Sequence, residues 1–175
     1  DVINEAFRVV RTNLEFVIGK EEGSKVIMVT SMNPDSGKTF IISNLAACFA
    51  VKKKKTVIVD LDLRKATLSS YLGNVRTGVS NYLAGQDISV FSITSKDKSI
   101  LDLDIIPVGT IPPNPAELLF SERLGQLLSE LKQRYDYIFI DCPPAEVVAD
   151  TSIIGRYADY TLFVARAGLL DKRML

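Results

Sequence analysis

One stretch constrains this chain more than any other: Val26-Ile27-Met28-Val29-Thr30-Ser31 running into Met32-Asn33-Pro34-Asp35-Ser36-Gly37-Lys38-Thr39. Apolar and β-branched residues suit a buried strand, Pro, Asp, Ser and Gly suit a turn, and Phe40 to Val51 has the composition of a helix. A strand, a glycine-containing loop, Gly-Lys-Thr and a helix together make a phosphate cradle for a physical reason. Phosphates are multiply charged anions, and loop amides leading into a helix N-terminus offer them N–H donors and a partial positive charge. Lys38 is then placed on the β- and γ-phosphate oxygens and the Thr39 hydroxyl on Mg²⁺. The alternative is a lysine at an ordinary helix start with Thr39 as a solvated first-turn residue. The strand–loop–helix context favours the phosphate site.

The match to the P-loop pattern is incomplete. That pattern has glycine where Met32 stands, and small residues are usual at Asp35 and Ser36. Asp35 adds a negative charge near the expected phosphate, so its side chain must point away. The expected nucleotide-binding set is Asn33, Pro34, Asp35, Ser36, Gly37, Lys38, Thr39 and Phe40.

The chain has 175 residues, a length that suits a single domain spanning 1–175. Such a chain buries roughly 70% of its unfolded surface, enough for a core without staples. Lys+Arg and Asp+Glu are both 21, so no overall charge favours nucleic acid. Histidine is absent, which excludes His-based acid–base chemistry and His metal sites. Cys48 and Cys142 are far apart and are expected as two buried thiols in a reducing compartment. No run of about 18 apolar residues and no signal peptide is visible. The chain begins mid-pattern at Asp1-Val2 and stops at Met174-Leu175, as an excised domain would. Any membrane tether is expected outside it.

Residues 2 to 18 have helical periodicity, with Val2, Ala6, Val9, Val10, Leu14, Val17 and Ile18 near one face. Glu5, Arg8 and Arg11 follow at three-residue steps on a neighbouring face. Spacing alone allows either a solvated charged face or a stripe that docks on another subunit. Strands are expected at 25–31, 56–60, 91–94, 103–108, 137–141 and 160–165. Helices are expected at 38–52, 116–133 and 149–156, with one or two turns at 78–85. Residues 95–98 are expected as a turn, and 168–175 as the start of a further element. Lys52 to Lys55 is a four-lysine run that a helix C-terminus explains through its dipole, with an anionic partner surface as the alternative. Pro115 pre-sets the first turn of the helix after it, with Asn114 as a possible cap. The leucines of that helix are expected in the core. Strands alternating with helices predict an α/β fold of P-loop NTPase type, a mostly parallel sheet with helices on both faces.

Two further strands end in acids. Val57-Ile58-Val59 runs into Asp60-Leu61-Asp62, and Tyr137-Ile138-Phe139-Ile140 into Asp141. Carboxylates at strand C-termini lie where open α/β sheets bind ligands. Of Asp60 and Asp62, one is able to support a metal shell while the other takes a proton. Asp141 suits the Walker-B role beside magnesium.

These elements, with Val57-Ile58-Val59-Asp60-Leu61-Asp62-Leu63-Arg64 as a second Walker-A-like motif, resemble the deviant P-loop ATPases of the MinD/ParA type. Within them the chain looks most like the bacterial tyrosine kinases, the cytoplasmic domains of polysaccharide co-polymerases for capsule and exopolysaccharide export. Glu5-Ala6-Phe7-Arg8-Val9-Val10-Arg11 matches that family's E-x-x-R-x-x-R helix, Pro112-Pro113-Asn114-Pro115-Ala116-Glu117-Leu118-Leu119 its proline-rich segment, and Ala158 through Arg166 its last strand. The resemblance implies an ATP- and Mg²⁺-dependent autokinase at the cytoplasmic face of a bacterial inner membrane. Its implied site is Lys38 on the transferring phosphoryl group, Thr39, Asp60 and Asp141 on Mg²⁺, and Asp62 accepting the tyrosine proton. It also selects Glu5, Arg8 and Arg11 as a ring interface, across which a neighbouring subunit presents a C-terminal tyrosine tail. The membrane-spanning part would be on the same chain or on a separate partner. Asn33 replaces the signature lysine of MinD/ParA proteins, which favours kinase over switch ATPase. Those ATPases, and an ATP-sensing scaffold without turnover, are the alternatives. The family's tyrosine cluster is not in this chain, and Tyr71, Tyr82, Tyr135, Tyr137, Tyr157 and Tyr160 are scattered, as structural tyrosines would be.

Overall fold

The computed structural model describes residues 2–73 and 75–169. Six strands form one sheet: β1 (Lys25–Ser31), β2 (Thr56–Asp60), β3 (Ser95–Lys96), β4 (Leu103–Ile106), β5 (Tyr137–Asp141) and β6 (Tyr160–Val164), in the order β3-β4-β2-β5-β1-β6. All neighbours pair in parallel except the short edge strand β3, which runs antiparallel to β4. The central strands β1, β2 and β5 are apolar on both faces because both faces are covered. Ile27, Val29, Ile58 and Phe139 pack under α1 (Val2–Ile18) and α2 (Lys38–Ala50). Val26, Met28, Val57, Val59, Ile138 and Ile140 pack under α4 (Val79–Leu83), α5 (Pro115–Phe120), α6 (Glu122–Lys132) and α7 (Val148–Gly155). The short α3 (Thr67–Ser70) follows β2.

The expected parallel α/β sheet is present, and the local departures have local causes. Residues 91–94 are not a strand: Phe91–Ile93 is a 3₁₀ turn, held where the Ser92 hydroxyl and Thr94 hydroxyl bond the carbonyls of Ser89 and Val90. The strand lies instead at Ser95–Lys96, expected as a turn. β4 stops at Ile106 because Pro107 has no N–H to give a ladder. The single helix expected over 116–133 is two, broken at Ser121, whose backbone is extended (φ −65°, ψ 150°) and whose hydroxyl bonds the Leu118 carbonyl. Asn114 does not cap α5 with its side chain, which instead donates to Glu117. Leu119, Leu124, Leu127, Leu128 and Leu131 are core residues, as expected. Only Cys142 is a fully buried thiol; Cys48 is half-buried.

Helix α1 departs most from its periodicity. Phe7 and Ile18 are buried against α2 and the sheet, while Val2, Val9, Phe16 and Val17 are exposed. Of the face read from the periodicity, Ile18 is buried and Leu14 packs against the same cluster, while Val2, Val9, Val10 and Val17 look outward. Residues 170–175, part of the expected further element, lie outside the described residues.

Candidate nucleotide site

The site lies at the C-terminal edge of the sheet, where β1, β2 and β5 release their loops. β1 runs into the phosphate loop, and Gly37 closes it at φ +88°, a left-handed conformation that glycine adopts freely. Asp35 also sits at positive φ, +57°, and is exposed. The Ser31 and Ser36 hydroxyls both donate to the Asn33 carbonyl, at 2.7 and 2.8 Å, and Arg166 donates to the Asp35 carbonyl at 3.1 Å. No side chain caps α2, which leaves its first-turn amides for an anion.

A cavity of about 240 Å³ opens over this loop. Pro34 to Phe40 form one wall, and Asp62 and Asp141 converge on it from β2 and β5. Lys38 is 8% exposed and is in no ion pair among the described residues. Thr39 donates its hydroxyl to Asp141 Oδ2 at 3.2 Å, whereas Asp141 Oδ1 is buried without a hydrogen-bond partner. A buried carboxylate oxygen left open beside a hydroxyl is a hard-donor pair of the kind Mg²⁺ takes. Among the described residues no group of three or more acidic or cysteine side chains forms a metal cage.

Asp60 and Asp141 are direct partners in the β2–β5 ladder. Burial first, then the charges of Asp60 and Asp62, push the Asp141 carboxyl up to about 7, against the pull of Lys38 and Thr39. Burial pushes Asp60 up to about 6, against the pull of its hydrogen bonds from Ser69. Asp60 is fully buried and does not line the cavity. Its Oδ1 accepts the Asp62 N–H, and its Oδ2 accepts the Ser69 N–H and hydroxyl at 2.9 and 2.6 Å. Asp62 does line the cavity; its Oδ1 accepts the Lys65 N–H.

Of the expected nucleotide set, Asn33 stays behind the loop and shapes it through its carbonyl. Lys65, Thr67 and Tyr71 line the cavity and were not foreseen. Their positions depend on the turn after Asp62, and no spacing rule encodes that turn. Tyr71 is 78% exposed, an exception to the structural role expected for most of the tyrosines. Arg64 clamps the same turn to α7 by a bidentate pair with the fully buried Asp150, at 2.8 and 3.1 Å. The Glu5, Arg8, Arg11 triplet is split. Glu5 and Arg8 form an exposed pair at 3.3 Å, while Arg11 turns inward and donates to the Cys48 carbonyl of α2.

A phosphate loop, an acid at each neighbouring strand end and a parallel sheet define a nucleotide-binding P-loop domain. Comparison narrows the class. The profile of the AAA domain family matches residues 24–167. Over 167 residues the chain is 41% identical to tyrosine-protein kinase wzc of Salmonella typhimurium, covering 95% of this chain and 23% of that protein. It is 39% identical over 173 residues to a putative tyrosine-protein kinase in the cps region of Klebsiella pneumoniae, covering 95% and 23%. The kinase domain of Escherichia coli tyrosine kinase ETK superposes with a TM-score of 0.87 at 37% identity, covering 97% of this chain and 66% of that one. The septum site-determining protein MinD from Pyrococcus horikoshii, complexed with Mg-ADP, superposes at 0.67 and 26% identity, covering 81% and 58%. The chain belongs to the AAA domain family and, within it, to the bacterial tyrosine-kinase domains. It spans about a quarter of the length of the curated relatives it matches.

Proposed function

We propose that this chain is the catalytic domain of an ATP-dependent protein-tyrosine autokinase that regulates capsule or exopolysaccharide synthesis and export. The observation that carries the reading is the convergence of Lys38, Thr39, Asp62 and Asp141 on one cavity over the phosphate loop. In the forward step a tyrosine phenol oxygen attacks the γ-phosphorus of ATP, the bond from that phosphorus to the ADP oxygen breaks, and the phenol loses its proton. Lys38 and the uncapped amides of α2 neutralise charge on the moving phosphoryl group. Asp62 Oδ1 is held by the Lys65 amide, which leaves Oδ2 to take the proton. Thr39 and Asp141 are the residues assigned to hold Mg²⁺, with Asp60 behind them adding charge and fixing the Asp62 amide. Bound there, the ion would supply positive charge against the substrate phosphates.

The acceptor is a tyrosine tail of a neighbouring copy in a ring. Glu5 and Arg8 stand exposed for that contact, while Arg11 sets the angle of α1 on α2. A membrane-spanning segment, on the same chain or on a partner, would hold the domain at the cytoplasmic face. Arg8→Ala is expected to shift assembly toward monomer in sedimentation velocity; an unchanged mass would remove Arg8 from the interface. The second reading is a MinD-like switch ATPase, favoured by the superposition on MinD and opposed by Asn33.

The deciding experiment supplies γ-labelled ATP, Mg²⁺ and a tyrosine-rich peptide. Labelled phosphotyrosine is expected, and Asp62→Asn is expected to lower its rate by about 10²-fold or more. Free phosphate without phosphotyrosine would select the switch ATPase. ATP bound without either product would select the scaffold.

A further inference from the structure

The Lys52–Lys55 run has no part in the nucleotide site, because it lies at the opposite, N-terminal edge of the sheet. There it joins cations from other segments around an open hollow of about 610 Å³. Lys53, Lys54 and Lys55 come from the α2–β2 turn, Lys132 from the end of α6 and Arg134 from the α6–β5 turn. All five are exposed, and none forms an ion pair among the described residues. Lys25 also lines the hollow but is neutralised by Glu21 at 3.0 Å. The other carboxylate is Asp136, so six cations face two acids, an excess of four on a chain whose net charge is zero. Helix dipoles account for only part of this. Lys132 lies in the last turn of α6, but α2 has no cation in its last turn, and its lysines follow beyond the cap Val51.

An adjoining hollow shares Lys55, Arg134 and Tyr135. It brings one further cation, Lys96, and three acids, Asp97, Asp102 and Asp104, so the two hollows together hold seven cations against five acids and the basic excess is concentrated at the first. It also adds apolar side chains, Leu101 at 85% exposure and Phe91 at 71%. Unpaired lysines flanked by protruding apolar side chains fit a surface with anionic headgroups over a hydrocarbon layer. A purely polar acidic peptide would leave Leu101 and Phe91 unused.

We propose that the N-terminal edge of the sheet is a docking surface for an anionic lipid bilayer. Docked this way, the domain presents the nucleotide cavity, at the other end of the strands, away from the membrane. The binding is peripheral, and no helix among the described residues is long and apolar enough to cross a membrane.

The test is co-sedimentation of the chain with phosphatidylcholine vesicles, with and without phosphatidylglycerol. Binding is expected only to the anionic vesicles, weakening as salt rises. Lys53→Gln with Lys54→Gln is expected to weaken it about thirtyfold. Leu101→Ser is expected to weaken it while keeping the salt dependence. Circular dichroism and ATP affinity serve as folding controls, since neither variant touches the nucleotide cavity. No binding to anionic vesicles at low salt, or equal binding to neutral ones, would overturn the proposal. So would unchanged binding in the double lysine variant. Tight, salt-sensitive capture of polyglutamate without vesicle binding would overturn it in favour of an acidic protein partner.

Discussion

The two ends of the sheet carry charge in opposite ways. At the C-terminal edge Asp60, Asp62 and Asp141 are 0, 5 and 2% exposed, and Lys38, at 8%, lines the same cavity as Asp62 and Asp141. At the N-terminal edge the five free cations all stand in solvent. Exposed charge costs the fold little and acts mainly through its field, within a Debye length. Buried like charges are costly, and the price shows in the raised carboxyls of Asp60 and Asp141. A fold keeps such a cluster only where it is compensated or used. The two acids differ in which: Asp60 is satisfied on both oxygens, whereas Asp141 keeps one buried oxygen without a partner. One acid is built into the fold and its ladder neighbour is left for a ligand.

The largest expected effect comes from removing the nearly buried cation of the phosphate loop. Lys38→Met is expected to lower phosphoryl transfer by about 10³-fold while circular dichroism stays unchanged. Retained activity would remove Lys38 from the site. Asp141→Asn sharpens the contrast between function and stability. The folded chain holds a proton on Asp141 that the unfolded chain releases between pH 3.8 and about 7, so this group's contribution to stability falls as pH rises through that window. The variant is expected to melt about 8 °C higher than the parent at pH 8, with a smaller gain at pH 5, and to lose activity. A gain equal at both pH values would show that the burial of charge is not its cause. Ser69→Ala tests the satisfied acid. It strips Oδ2 of the 2.6 Å bond and is expected to cost about 1–2 kcal/mol, a melting drop of about 5 °C by calorimetry. An unchanged midpoint would mean that Asp60 does not need its partner.

The phosphate loop and the acids were legible in the sequence because each depends on neighbours along the chain. A strand, a turn at Pro34 to Gly37 and a helix place Lys38 and Thr39 whatever else the chain does. The same local logic misled at residues 91–94, where a strand was expected and two hydroxyl–carbonyl bonds made a turn. It misled again at Ser121, inside a leucine pattern continuous enough to hide the break.

What the sequence by itself determined is the class of fold and the strand, loop and helix that carry Lys38 and Thr39, since hydrophobic period and turn chemistry act over a few residues. Tertiary structure alone decided the rest, because contacts between distant segments leave no spacing to read. It paired Asp60 with Ser69 and left Asp141 open, joined Arg64 to Asp150 across 86 positions, and turned Arg11 into α2 while Arg8 stayed outside. It also gathered lysines and an arginine from separate turns onto one edge of the sheet, where a chain of zero net charge becomes locally basic.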